Sequence, residues 1–174
     1  LDYCKLYRER YMTNNKNNLA LGAKVTYLTE PTGKYVETGR TALTDGLYGG
    51  ASYVESWVGW EGKDGAFVVD LGEVKDVRKV SADFLHQIGA WILFPLEVSY
   101  SYSLDGENYT EWDSIKMPED RSNQVLFREV KAESVTPLKA RYIKVEVTGT
   151  KVCPHWHYGV GHPSWFFVDE VTVE

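Results

Sequence analysis

The side chains best suited to molecular recognition are aromatic residues between predicted strands. Six tryptophans and twelve tyrosines are more than the core of one small domain needs, so some rings must lie at the surface. An exposed ring offers a flat apolar face and a polar edge, which suits a sugar as well as a protein partner. These rings concentrate in residues 48–60, 86–94 and 156–165. The sequence therefore predicts recognition by connecting loops.

Cysteine and histidine occur close together in and near the last of these stretches, at Cys153, His155 and His157, with His162 beyond. Thiolate and imidazole groups are zinc ligands. No second ligand pair of zinc-finger spacing follows, however, so the pattern favours a polar loop over a metal centre. The two cysteines, Cys4 and Cys153, either form one disulfide bridge or remain free thiols.

Two adjacent acids, Asp169 and Glu170, are the residue types that perform glycoside hydrolysis. They lie within a predicted strand, where neighbouring side chains point to opposite faces. The sequence also contains no Gly-x-Ser-x-Gly elbow and no phosphate-binding loop. We therefore predict no catalytic residues in this chain.

Length and charge exclude several classes of protein. The 174 residues suit one domain, whereas a (β/α)8 barrel needs about 250 residues. The formal net charge of -6 argues against nucleic acid, whose phosphates need a basic face. The most apolar stretch, residues 90–96, is too short to span a membrane and contains Pro95.

Residues 1–18 differ from the rest of the chain. Tyr3, Tyr7 and Tyr11 recur at helical spacing, and the polar run 13–18 then interrupts this pattern. This pattern predicts an inter-domain connector at 1–18, either a short helix or a disordered tail. A single module would occupy residues 19–174.

The pattern of strands and turns dominates that module. Apolar and polar residues alternate in Leu96–Ser103, and the following Leu104–Asn108 predicts a hairpin turn in which Gly106 takes a positive φ. Many short strands and almost no helix predict an all-β, antiparallel sandwich of jelly-roll type. Further strands are predicted at Phe67–Leu71, Val77–Leu85, Tyr109–Ile115, Gln124–Val130, Arg141–Thr148 and Phe166–Val173.

Six segments occur in a characteristic order and spacing: Ala42–Gly46, Trp57–Gly62, Val69–Gly72, Val98–Gly106, Ala140–Val147 and Phe166–Val173. Together they make residues 18–174 similar to the discoidin (coagulation factor 5/8 type C) family, whose fold is galactose-binding-domain-like. The runs "GWEGKDG", "GAWILFP" and "CPHWHYGVGHPSWFFVDE" are also similar to C-terminal modules of bacterial chitobiase-like β-N-acetylhexosaminidases, including those of Bacteroidetes, and the chain resembles family 32 carbohydrate-binding modules.

The resemblance implies one structural calcium ion where the loop containing Asp45 meets the last strand. Asp45 and Glu170 would supply side-chain oxygens. Oxygens near Ala42, Gly50 and Ser52 would complete a shell that suits a hard cation. The alternative is that Asp45 is only a turn residue.

The resemblance also implies a glycan site in two loops, one after the strand Val77–Leu85 and one before the last strand. Polar groups would bind sugar hydroxyls while an aromatic ring stacks on the pyranose. Many relatives carry arginine where this chain has His86 and Gln87. Trp60 and Trp165 are instead expected in the core. The expected glycan-binding residues are His86, Gln87, Trp91, Trp156, His157 and Tyr158.

The resemblance implies a function as well as a fold. We expect a non-catalytic carbohydrate-binding module of a secreted bacterial glycoside hydrolase, located outside the cytoplasm and binding galactose- or N-acetylhexosamine-type sugars. The catalytic domain of the same parent chain would be its other partner. The alternative is a structural module that docks on that catalytic domain and binds no sugar.

Overall fold

The computed structural model describes residues 17–35, 42–50, 53 and 57–174. Residues 1–16 of the predicted connector, including Cys4, therefore lie outside the described residues. Short 3₁₀ turns occur at Gly33–Tyr35, Ala42–Thr44 and Ile88–Ala90. The strands are β1 (Lys24–Tyr27), β2 (Val58–Glu61), β3 (Gly65–His86), β4 (Glu97–Ser103), β5 (Thr110–Lys116), β6 (Leu126–Thr148) and β7 (Trp165–Val173).

All the strand pairings are antiparallel, in the order β2-β7-β3-β6-β4-β5, with β1 added on β3. The long strands β3 and β6 take part in two layers. The first half of β3 pairs with β1 and with the second half of β6, which continues to β4. The second half of β3 pairs with β7 and with the first half of β6. The result confirms the predicted antiparallel β-sandwich.

The core lies between these layers because alternate side chains of each strand point inward. In β6, Ile143, Val145 and Val147 are buried, as the alternation predicts. Val80, Phe84 and Val168 of the other layer belong to the same cluster. Tyr100 of β4 joins the two layers, since its hydroxyl donates to the Val130 carbonyl over 2.6 Å.

Two predicted strand pairs prove to be two continuous strands. Phe67–Leu71 and Val77–Leu85 both belong to β3, and Gln124–Val130 and Arg141–Thr148 both belong largely to β6. The polar, exposed residues 72–76 indicated a loop, but pairing resumes at Lys75 after a register shift. Gly72 takes a φ of 88° within this bulge, which bends the strand without ending it.

A second apolar cluster lies outside the main core and supports the loop that contains Ile92. Trp57, Leu85, Ile92 and Phe167 are its buried members, and Trp165 packs against it half-buried. Trp165 is therefore a packing residue, although not of the central core.

Among the described residues, no helix combines the length and apolar character needed to cross a membrane.

Candidate functional site

The first loop of the candidate site, residues 87–92, follows directly from the end of β3. The chain makes one 3₁₀ turn at 88–90 and then places Trp91 in the left-handed region, at φ 64° and ψ 25°. This conformation is costly for a bulky side chain and often marks a functional site. It is held because Trp91 N–H donates to Ile88 and Trp91 C=O accepts from Trp165 N–H, at 3.0 and 2.9 Å.

The second loop, residues 152–164, is closed by its own backbone hydrogen bonds. Cys153 N–H donates to the His162 carbonyl over 2.8 Å, and Gly161 N–H donates back to Cys153 over 3.0 Å. Gly161 has a φ of 81°, which glycine adopts without strain. The loop therefore presents its side chains from a defined backbone.

The two loops meet through aromatic rings. Trp91 lies 6.0 Å from the Tyr158 ring and 5.6 Å from the His162 ring, between centroids. Tyr158 is 71% exposed, and its hydroxyl donates to the Gly89 carbonyl over 2.6 Å. Trp91, Tyr158 and His162 thus form one surface, called here the aromatic surface.

Only glycine fits at position 159 beneath this surface. A Cβ there would lie 2.9 Å from the Trp91 indole and 3.2 Å from His157 Nδ1. The backbone of the second loop therefore packs directly on the tryptophan of the first.

An apolar cavity of about 300 Å³ is linked to the aromatic surface through Trp156, which lines the cavity and contacts His157. Residues of 93–96, 117–120 and 150–156 line it, and Trp156 forms part of its wall. The Trp156 ring lies 5.9 Å from His157, and the Arg121 guanidinium lies 5.4 Å from the Trp156 centroid. The indole N–H of Trp156 is buried and has no hydrogen-bond acceptor among the described residues.

His86, predicted from the sequence as a glycan-binding residue, is buried behind the cavity wall. It is 1% exposed, and its ring packs 4.9 Å from Phe94. Its Nε2 lies 3.0 Å from the Asp120 carbonyl and its Nδ1 lies 3.3 Å from the Gln124 carbonyl. His86 therefore supports the cavity wall from behind.

The other predicted glycan-binding residues divide into two groups. Trp91, Trp156 and Tyr158 lie at the two loops with part of each ring accessible. Gln87 is half-buried, and its side-chain oxygen has no partner among the described residues. His157 is only 4% exposed, so it lies beneath the aromatic surface and does not form its wall.

Sequence reasoning missed most of the cavity. Leu93, Phe94 and Pro95 were visible only as an apolar run, and Met117 and Arg121 lie in a loop without periodicity. These segments are brought together by strand pairing between β4, β5 and β6. No local pattern indicates that contact.

A separate carboxylate pair lies where the loop 42–50 meets β7. Glu170 is 1% exposed and accepts from Gly46 N–H at 2.7 Å, while Asp45 accepts from Leu47 N–H at 2.8 Å. The Asp45 and Glu170 side chains are also within hydrogen-bond contact of each other. Partial burial raises the pKa of Asp45, although the Leu47 amide and the Glu170 contact oppose this rise.

This pair fits a hard cation in the type of its donors, because two carboxylates in contact need a proton or a cation between them. The Gly50 carbonyl already accepts from the Trp57 indole at 2.9 Å, and Ser52 lies outside the described residues. Within the described ranges, no group of three or more His, Cys, Asp or Glu side chains converges as a metal site.

The adjacent acids of β7 anchor the same loop. Asp169 is fully buried and accepts from Gly49 N–H over 2.6 Å, as Glu170 accepts from Gly46. Both carboxylates are buried. Cys153 is a buried free cysteine, and burial raises the pKa of its thiol.

Comparison with known proteins agrees with this architecture. The family model for the F5/8 type C domain matches residues 24–166. The chain therefore belongs to the F5/8 type C, or discoidin-like, domain family. No curated protein matches it.

Solved structures show the same fold at low identity. Chitosan-binding module 1 of a Paenibacillus sp. IK-5 chitosanase/glucanase is 17% identical with a TM-score of 0.58, and the match covers 91% of this chain and 99% of that one. The Clostridium perfringens module CpGH89CBM32-5, in complex with GalNAc-β-1,3-galactose, is 18% identical with a TM-score of 0.55, covering 90% and 99%.

A larger enzyme contains the same fold. A Ruminococcus gnavus GH29 fucosidase is 18% identical over 95% of this chain, with a TM-score of 0.57. The chain spans 28% of the length of that fucosidase.

Proposed function

We propose that this chain is a non-catalytic carbohydrate-binding module that holds a glycoside hydrolase near its substrate. The observation that carries the proposal is the aromatic surface beside the apolar cavity. Trp91 and Tyr158 are both accessible in part, and both are fixed by backbone contacts before any ligand arrives. Such preorganisation lowers the entropy that binding costs.

The site suits a sugar ring better than an ionic ligand. Both acids that line the cavity have cationic partners, since Glu119 pairs with Arg121 over 2.8 Å and Asp120 lies 3.8 Å from Arg128. An indole face contacts the C–H face of a pyranose, while neighbouring carbonyls and hydroxyls bind its polar edge. The adjoining cavity would take an apolar substituent or a second residue of the glycan.

We propose galactose- or N-acetylhexosamine-type sugars as the ligand class. The Clostridium perfringens relative is described with a GalNAc-containing disaccharide, which supports this choice. The parent protein would be a secreted bacterial hydrolase of the chitobiase or β-hexosaminidase type, and its location extracytoplasmic. One shallow site binds weakly, so linkage to the catalytic domain would supply avidity.

A bound calcium ion is part of the same proposal. Asp45 and Glu170 would hold it, and its charge would replace the proton that two touching carboxylates otherwise require. The ion would fasten the loop 42–50 to β7, remote in sequence from both glycan loops.

Glycan binding by variants tests the proposal. A glycan array, followed by titration of galactose, N-acetylgalactosamine and N-acetylglucosamine, should identify a sugar ligand. Trp91→Ala and Trp156→Ala should each weaken its binding at least about tenfold, because stacking area is lost. Both variants should remain folded.

Trp112→Ala is the matched control. Trp112 is a half-buried tryptophan on the edge strand β5, where it packs against Tyr102. Its loss should leave sugar affinity unchanged. Unaltered binding in both loop variants would reject this choice of site, and an array without any sugar ligand would favour a docking module.

A further inference from the structure

His157 is buried between the two loops of the proposed site, and each ring nitrogen has a defined role. Nε2 lies 2.7 Å from the Ile88 carbonyl oxygen, which accepts only. Nδ1 accepts from the backbone N–H of Gly159 over 2.9 Å. Because an amide nitrogen always carries its hydrogen, Nδ1 must be unprotonated. The contacts therefore require the neutral Nε2–H tautomer.

These two hydrogen bonds connect the loops that carry the aromatic surface. Ile88 precedes Trp91 in the first loop, and Gly159 follows Tyr158 in the second. His157 also stacks on Tyr158 at 4.4 Å and meets Trp91 edge-on at 6.2 Å. The imidazole thus fixes the spacing between the two rings without being exposed itself.

We propose that His157 is a positioning residue that holds the aromatic surface in its sugar-binding form only while its ring is neutral. Protonation at Nδ1 would direct one N–H at another, that of Gly159. The two N–H donors repel each other, so the hydrogen bond between Gly159 and His157 breaks and the two loops separate. This inference rests on the proposed function, since it assigns sugar binding to Trp91 and Tyr158.

Few groups around His157 could stabilise its ring in the protonated form. Tyr158 is the titratable group in ring contact with His157, and its hydroxyl is committed to the Gly89 carbonyl. Trp91 and Trp156 are the other rings in contact, and the cation Arg121 lies over Trp156. In the part of the chain that the structure describes, no carboxylate pairs with His157. Charging the buried ring therefore costs stability in the closed arrangement.

Hydrogen exchange tests the loop contact without any sugar. The protection factor of Gly159 N–H should fall at least about tenfold on acidification from about pH 7.5 to about pH 5. Amides in the centre of β3 should keep their protection. Histidine ¹⁵N shifts at the higher pH should show an unprotonated Nδ1 and a protonated Nε2.

His157→Gln removes the imidazole ring and retains a donor that can reach Ile88. Its Gly159 protection and its affinity for N-acetylgalactosamine should no longer depend on pH. His155→Gln is the matched control, because His155 is an exposed histidine in the same loop and lies outside the aromatic surface. This control should keep the pH dependence of the parent chain.

The two proposals fail in different ways. If galactose, N-acetylgalactosamine and N-acetylglucosamine all fail to bind at neutral pH while Gly159 still loses protection on acidification, the sugar site is wrong and the His157 contact stands. If Gly159 protection is equal at both pH values, or His157→Gln retains the pH dependence, the role of His157 is overturned. The ¹⁵N shifts of the unmodified chain decide the tautomer even if the variant does not fold.

Discussion

Trp60 and Trp91 are the same residue type in opposite settings. Trp60 is fully buried, stacks on Phe166 at 5.0 Å, and donates its indole N–H to the Thr29 carbonyl over 3.0 Å. Trp91 lies in a loop, half-buried, on a left-handed backbone that is unusual for its size. In the core, Trp60 has both a stacking partner and a hydrogen-bond acceptor. In the loop, Trp91 is held in place while part of its side chain stays accessible.

The comparison shows how this fold separates stability from recognition. Strand pairing and the main core determine the sandwich, and the rings inside it pack against neighbouring strands. Rings in the loops 87–92 and 152–164 are fixed mainly by backbone hydrogen bonds and by His157. A ligand can therefore contact them without disturbing the core.

Trp60→Ala should produce the largest effect. Deleting this ring removes two stacked contacts and leaves a large void, which costs about 3–5 kcal/mol in the free energy of unfolding. Urea denaturation should show that loss directly. Trp91→Ala is the loop counterpart and should cost less than about 1.5 kcal/mol, since Trp91 belongs to neither apolar cluster. Equal losses of unfolding free energy in the two variants would contradict the distinction between the core and the loop.

Calcium should give the next largest effect, at the loop 42–50. An ion that binds only the folded chain adds about 2.7 kcal/mol at 100 times its dissociation constant. Thermal unfolding with calcium and with EDTA should therefore differ by several degrees. Asp45→Asn should abolish the difference. An unchanged melting temperature in EDTA would contradict the calcium site.

The pH dependence of the metal-free chain sharpens this test. Because burial raises the folded-state pKa of Asp45 above 3.8, the folded chain binds this proton more tightly than the unfolded chain. Its contribution to stability is therefore present at low pH and lost as pH rises through the raised pKa. The difference in unfolding free energy between the parent chain and Asp45→Asn should shrink or reverse over that range. At higher pH, calcium should restore the stability of the parent chain.

Alternation of apolar side chains made much of the sandwich predictable. It identified the inward residues of β6 and the turn at Gly106, whose φ is 79°. It missed β1 and β2, which have only four residues each and too few alternations to register. It also divided β3 at residues 72–76, because a bulge there exposes polar residues and interrupts the pairing between Asp70 and Lys75 without ending the strand.

The site was predictable in its loops but not in the role of every side chain. Aromatic density pointed to Trp91, Trp156 and Tyr158. His86 and His157 were expected to face the ligand, yet both are buried because their ring nitrogens contact backbone carbonyls distant in sequence. Asp120 is 34 residues from His86, and Ile88 is 69 residues from His157. Such contacts are set by the fold and leave no local pattern.

Amide chemical shifts during titration with N-acetylgalactosamine test the central claim most directly. The account predicts that the largest shift changes cluster in residues 87–92 and 152–164 and around the cavity at 93–96 and 117–120, while the core strands near Trp60 stay unchanged. Shift changes concentrated at the loop 42–50, or on the β4–β5 hairpin, would contradict it.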